Sequence, residues 1–189
     1  MKRIVLTGGP GAGKTVVTDR IAQRMPERYV RVPEAATQVY FALQTRWDRL
    51  DLEGKHDVQR RIYRLQREQE DRIAREHPDK ILLLDRGTVD GAAYWPEGAA
   101  HYWRDLHTDL NTELARYDAV IWMQTCAALG MYDGDNSNAC RFEDALGAIA
   151  AGQTLVDLWG KHPRLLRVEA YPCVDDKIDA VMRVLSDLG

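Results

Sequence analysis

Residues 8–15 read Gly-Gly-Pro-Gly-Ala-Gly-Lys-Thr, and no other stretch limits the fold of the chain so strongly. They fit the phosphate-loop spacing G-x-x-x-x-G-K-[ST], with Gly8, Gly13, Lys14 and Thr15 at its fixed places. The flanks are those such a loop needs. Residues 2–7 (KRIVLT) form a short β-branched, apolar run that reads as a buried strand, and residues 16–25 have helical composition. In a strand–loop–helix unit the loop N–H groups converge on phosphate oxygens and the helix N-terminus adds its dipole. The phosphate-binding set is therefore Gly8, Gly9, Pro10, Gly11, Ala12, Gly13, Lys14, Thr15 and Val16. Within it the Lys14 ammonium can reach the β- and γ-phosphates, and the Thr15 hydroxyl can ligate Mg²⁺.

The rest of the composition narrows the class. A length of 189 residues suits one domain, 1–189, with a core of its own. A 45% apolar and 29% charged composition is that of a soluble globular protein, and a net charge of −3 gives no reason to expect nucleic acid as partner. Cys126, Cys140 and Cys173 are scattered without metal-binding spacing, so reduced thiols and a cytoplasmic setting are expected. The five histidines likewise show no metal spacing. No run of 18 apolar residues is present and no signal segment opens the chain, so neither membrane nor export is expected.

Five apolar stretches, Arg3–Thr7, Tyr29–Val32, 80–85, Ala119–Met123 and 165–169, alternate with helical patterns. That alternation implies an α/β fold, a parallel sheet covered by helices on both faces, and places ligands at the carboxyl ends of the strands. The longest helical pattern, 57–77, carries Val58, Ile62, Leu65, Gln69 and Ile73 as an inward stripe and ends before His77-Pro78. Its arginines, Arg60, Arg61, Arg64 and Arg67, read either as a solvated face or as an anion-facing one.

The residues after each strand carry the chemistry. Asp85 closes the third strand, where an acid beside a phosphate loop positions Mg²⁺, and Arg86 follows, able to pair a phosphate or an acid. Glu34 follows the second strand and reads either as a helix cap or as a general base toward a substrate hydroxyl. After the fourth strand, 132–143 (YDGDNSNACRFE) has loop composition and one arginine, Arg141, which fits a lid closing over transferring phosphates. Trp47, Tyr94, Trp95, Tyr102 and Trp103 flank the same cleft as core or stacking residues. No [NT]-K-x-D guanine motif occurs, so adenine is the expected base, near Arg141 and 169–172.

Taken in order, GGPGAGKT, PEAA at 33–36, LLLDRG at 82–87 followed by Asp90 and Ala93-Tyr94, Asn138 with Arg141-Phe142-Glu143, and Trp159 with His162-Pro163 resemble a P-loop kinase and ATPase family. This family includes the nicotinamide-riboside kinase domain of bacterial NAD regulators, with an AAA-type ATP-binding domain, and is related to deoxynucleoside and thymidylate kinases. The resemblance spans nearly the whole chain. It implies a P-loop NTPase three-layer sandwich with a five-stranded parallel sheet of order 2-3-1-4-5 and a lid, with ATP and Mg²⁺ as cofactors. It also implies Glu34 as the acid that takes the acceptor's proton, Asp85-Arg86 as the pair after strand three, and Arg141 as the lid arginine. Many family members are ATPases, so the acceptor is not implied.

The leading expectation is a phosphotransferase acting from MgATP on a hydroxyl of a nucleoside-like metabolite. Lys14, Glu34, Arg86 and Arg141 would be catalytic, and Thr15 and Asp85 would hold the metal. ATP and a small-molecule acceptor are the partners, with a homodimer left open. The alternative is a regulatory or stress-response ATPase switch acting through partner binding. Glu34 favours the kinase, since a switch has no use for an acceptor base.

Overall fold

The computed structural model describes residues 2–131 and 144–188 of the chain. Five parallel strands, β1 (Arg3–Thr7), β2 (Tyr29–Val32), β3 (Ile81–Asp85), β4 (Ala119–Met123) and β5 (Leu165–Val168), form one sheet in the order β2-β3-β1-β4-β5. This is the expected order, and the strands lie within one residue of the expected spans.

The sheet is buried on both faces, which is why its strands read as continuous apolar runs. Alternation along each strand assigns the faces. Ile4 and Leu6 of β1, Leu83 of β3, and Ile121 and Met123 of β4 pack with Val17 and Ile21 of α1 (Lys14–Arg24) and with Ile178, Val181 and Leu185 of α7 (Val174–Asp187). Val5, Leu82, Leu84 and Val120 point the other way. They meet Ile73 of α3 (Leu52–Glu76), Leu114 of α5 (Leu110–Leu114) and Leu155 and Trp159 of α6 (Ala145–Trp159). Helix, sheet, helix is the three-layer sandwich.

Two smaller apolar clusters extend the second face outward. Val39 and Tyr40 of α2 (Ala35–Leu43) pack on Val58 of α3. Tyr63 of α3, Trp95, and Tyr102 of α4 (Ala99–Asp105) pack on one another, with Trp95 and Tyr102 ring centroids 5.5 Å apart at 63°. These aromatics are core, as most aromatics at such spacing are.

Helix α3 starts five residues before the expected 57 and ends at Glu76, where His77 caps it. Asp51 starts it, accepting a hydrogen bond from Gly54 N at 2.8 Å. Its inward stripe differs from the expected one. Val58, Gln69 and Ile73 are buried as expected, but Gln59, Tyr63, Gln66 and Glu70 are buried too, while Ile62 and Leu65 are only partly covered. An apolar-only pattern misses this face because half of it is polar and faces the site. The arginines of α3 stand on the surface side of the helix. Arg60 pairs with Asp105 and Glu53, and Arg61 with Asp57. Arg67 donates to the Tyr63 hydroxyl at 2.8 Å. The solvated reading of these arginines holds.

The register puts the strand ends level. Leu6 lies beside Asp85, and Thr7 beside Trp122. The segments after β1, β2, β3 and β4 therefore open on one edge of the sheet.

Candidate active site

The phosphate loop leaves β1 at Gly8 and enters α1 at Lys14. Gly8, Gly11 and Gly13 have φ of 142°, 73° and 81°, which L side chains rarely adopt. Gly9 is required for space, because a Cβ there would meet the Ala148 carbonyl oxygen at 2.2 Å. The loop's carbonyls are tied down from outside. Thr125 Oγ1 donates to Pro10 O at 2.5 Å, Cys126 N to Gly11 O at 3.4 Å, and Lys177 Nζ to Ala12 O at 3.2 Å. The Lys14 ammonium folds back over the loop, donating to Gly8 O at 2.7 Å and Gly9 O at 3.1 Å. It is thus placed across the mouth of the cradle its loop forms.

The Thr15 hydroxyl donates to Asp85 Oδ2 at 2.6 Å, and Arg31 Nη2 reaches the same oxygen at 3.3 Å. Arg31 is held on its other side by Asp19 at 2.7 Å. Asp85 is fully buried, and its Oδ1 has no hydrogen-bond partner among the described residues. Burial first, and then the Glu34 charge, push the Asp85 carboxyl above the usual carboxylate range. A buried carboxylate oxygen left open beside a hydroxyl on a phosphate loop is a donor set that fits a hard cation such as Mg²⁺.

Glu34 sits at the N-cap of α2, where a capping residue was one of two readings, but its side chain makes no capping bond. One carboxylate oxygen instead accepts from Arg86 Nε and the other from Thr37 Oγ1 at 2.7 Å. Burial alone would raise this acid, but the Arg86 and Lys14 charges and the Thr37 and Arg86 hydrogen bonds outweigh it and hold Glu34 at about 2. Arg86, at φ 75°, is one of three non-glycine residues with positive φ among the described residues. Its backbone is pinned on both sides, N donating to Leu6 O at 3.1 Å and O accepting from Gln66 Nε2 at 3.2 Å. Its guanidinium lies between Glu34 and Asp90, so the surrounding structure holds it in this strained conformation.

Asp90 is the hub behind it. It accepts from Thr7 Oγ1 at 2.8 Å, from Trp159 Nε1 at 3.0 Å and from Gly87 N at 3.2 Å. These bonds join β1, the turn Thr88–Tyr94 and α6 beneath the site.

An open pocket begins at Pro10 of the loop, passes Glu34 and Arg86, and runs between α2, α3 and the turn Thr88–Tyr94. Tyr40, Trp47, Tyr63 and Tyr94 contribute aromatic walls, and Gln59 and Gln66 amides line it. Of the five aromatics noted in the sequence, Trp47, Tyr94 and Tyr102 reach this pocket, and Trp95 and Trp103 do not. Gln59, only 4% exposed, is among the pocket-lining residues. Sequence reading missed Gln59, Gln66 and Arg31 because single polar residues in a helix or strand look like surface. It missed Lys177 although that lysine lies on the apolar stripe of α7, four residues before Val181, which was a readable signal. Arg141, Asn138 and the rest of the lid at 132–143 lie outside the described residues.

Residues 3–169 match the family described as an AAA domain, and the chain belongs to that family. Its fold is that of P-loop kinases. It is similar to a NadR protein solved in complex with NAD and AMP-PNP, at a TM-score of 0.64 and 17% identity over 96% of this chain. The chain spans 49% of that protein's length. It is also similar to deoxyadenosine kinase from M. mycoides with bound dATP, at a TM-score of 0.64 and 12% identity, covering 98% of this chain and 100% of the other. No curated protein matches the sequence significantly. No described helix is long and apolar enough to cross a membrane.

Proposed function

We propose that the chain, as a single domain over 1–189, is a kinase that transfers the γ-phosphoryl of MgATP to a hydroxyl of a nucleoside-like metabolite. The observation that carries this reading is one pocket lined both by Pro10 of the phosphate loop and by the Glu34–Arg86 pair. A regulatory ATPase needs the loop but has no need of an acidic, aromatic-walled pocket opening onto it.

MgATP, when bound, supplies the transferable phosphoryl group. The loop N–H groups and Lys14 bind its phosphates, and Thr15 and Asp85 hold the cation. Glu34 accepts the hydrogen bond of the acceptor hydroxyl. A carboxylate held near 2 is a weak base. Its contribution therefore lies in orienting the hydroxyl and taking the proton late, as the new O–P bond forms and the Pγ–O bond breaks. Arg86, anchored by Asp90, carries positive charge at the junction of pocket and loop. The Gln59 amide and the aromatic walls support an acceptor with a flat, hydrogen-bonding ring. The two similar structures, whose names record NAD, AMP-PNP and dATP, agree with nucleotide chemistry at this site.

The experiment is an ATP-consumption screen over nucleosides, nucleotides and sugars. Slow loss of ATP alone and fast loss with a nucleoside-class acceptor support the kinase. Equal loss with every acceptor supports the ATPase.

A further inference from the structure

Lys177 is 2% exposed, and among the described residues no carboxylate reaches it. Its Nζ donates to Ala12 O at 3.2 Å and to Gln124 O at 2.9 Å, with Cys126 Sγ 4.0 Å away. The acids beside it on α7 turn elsewhere, Asp175 and Asp179 both to Arg24. Burial lowers the lysine from its ordinary value, with Cys126 opposing. A buried ammonium satisfied only by carbonyl oxygens is expensive to keep. A methionine would fill the same volume without that cost, so the charge needs a reason.

The reason lies one peptide away. In a trans peptide the C=O and the next N–H point in opposite directions. Lys177 holds the Ala12 carbonyl, so the Gly13 N–H of the same trans peptide points away from Lys177. The left-handed Gly13, at φ 81°, carries the chain on from that orientation into α1. The same lysine binds the carbonyl of Gln124, whose own N donates to Val168 O at the end of β5. It thus clamps the loop to the strand ends behind it.

We infer that Lys177 is a positioning residue for the polyphosphate of a nucleoside di- or triphosphate: it fixes the Ala12–Gly13 peptide so that its N–H faces phosphate, and the bound anion supplies the counter-charge that the buried ammonium lacks. This rests on the nucleotide reading above. It assigns to α7 a part in binding that the loop sequence does not show.

The test compares wild type with Lys177→Met and Lys177→Gln in two measurements, thermal stability without nucleotide and affinity for ATP by calorimetry with Mg²⁺. Lys177→Met should be as stable as wild type or more so without nucleotide. Its ATP affinity should fall about 10–100-fold, the effect of one charge-assisted hydrogen bond. In turnover the loss should appear in KM for ATP, with kcat within about threefold of wild type. A purely structural lysine predicts the reverse, lower stability without nucleotide and unchanged ATP affinity, and that result overturns the inference. If Lys177→Met does not fold, Lys177→Gln decides: weakened ATP binding supports the inference and wild-type binding overturns it. Absence of ATP binding by wild type removes the nucleotide reading itself, and the inference with it. Wild-type binding with unchanged variant affinity removes the inference alone.

Discussion

The Thr15 hydroxyl donates to Asp85 Oδ2 at 2.6 Å, while Asp85 Oδ1, equally buried, accepts from nothing among the described residues. A buried carboxylate oxygen without a partner costs about 1–3 kcal/mol or more unless a ligand arrives to use it. The proposed function supplies such a ligand, the cation of MgATP.

The first prediction follows. In wild type, ATP with Mg²⁺ should raise the melting temperature more than ATP with a chelator does. Asp85→Asn keeps an oxygen for Thr15 and Arg31 but loses the charge, and should abolish that difference. Retention of the full Mg²⁺-dependent increment by Asp85→Asn contradicts a metal role for the residue.

Glu34 gives a pH signature. Its ordinary value is 4.5 and the fold holds it at about 2. The stability it contributes is thus complete above pH 4.5 and is lost as pH falls toward 2, by up to about 3 kcal/mol. Asp85 shifts the opposite way, in part because of the Glu34 charge, so Glu34→Gln also relieves part of the Asp85 shift and the difference from wild type reports the two together. Denaturant unfolding should show the variant well below wild type at pH 6, with the gap narrowing at pH 3 and closing only as pH falls to about 2. A gap independent of pH means that the Glu34–Arg86 pair is not the source. With an acceptor in hand, the same variant should keep ATP affinity and lose about 10²–10⁴-fold in transfer.

How much of this was legible in the sequence varies by kind of residue. The strands were readable because a two-sided parallel sheet makes unbroken apolar runs such as Ile81 to Leu84. The loop was readable because its glycines answer to backbone geometry, Gly8, Gly11 and Gly13 to positive φ and Gly9 to the Ala148 carbonyl. Glu34, Asp85 and Arg86 were found by their place after strands, and they do converge. The choice between cap and base at Glu34 was not readable, because it depends on Arg86, 52 residues away. Gln59 and Gln66 were invisible for the same reason, since their burial is decided by elements distant in sequence, whereas Lys177 was marked by its place on the apolar stripe of α7 and was overlooked. The pocket is assembled from six separate segments, at Pro10, 34–40, Trp47, 59–66, 86–94 and Tyr102, so no single motif announces it.

Gln59 should decide acceptor recognition. Its side chain is buried and lines the pocket. Gln59→Leu removes the hydrogen bond and leaves the walls. KM for the acceptor should rise about 10–100-fold, with KM for ATP unchanged. Equal effects on both substrates place Gln59 outside the acceptor subsite.

Gly9 tests the close approach of loop and helix. A methyl group there meets Ala148 O at 2.2 Å and Gly152 N at 3.1 Å, both backbone atoms. Gly9→Ala must push the loop off α6, costing about 1–3 kcal/mol of stability and weakening ATP binding. A variant with wild-type melting temperature and ATP affinity shows that the loop relaxes freely.

The account turns on where the phosphate goes. With [γ-³²P]ATP and Mg²⁺, label should appear on a nucleoside-class acceptor, with Lys14→Ala abolishing the signal and wild type releasing little inorganic phosphate when no acceptor is present. Label found only as inorganic phosphate, at a rate no acceptor changes, would contradict the assignment as a kinase and leave an ATPase in its place.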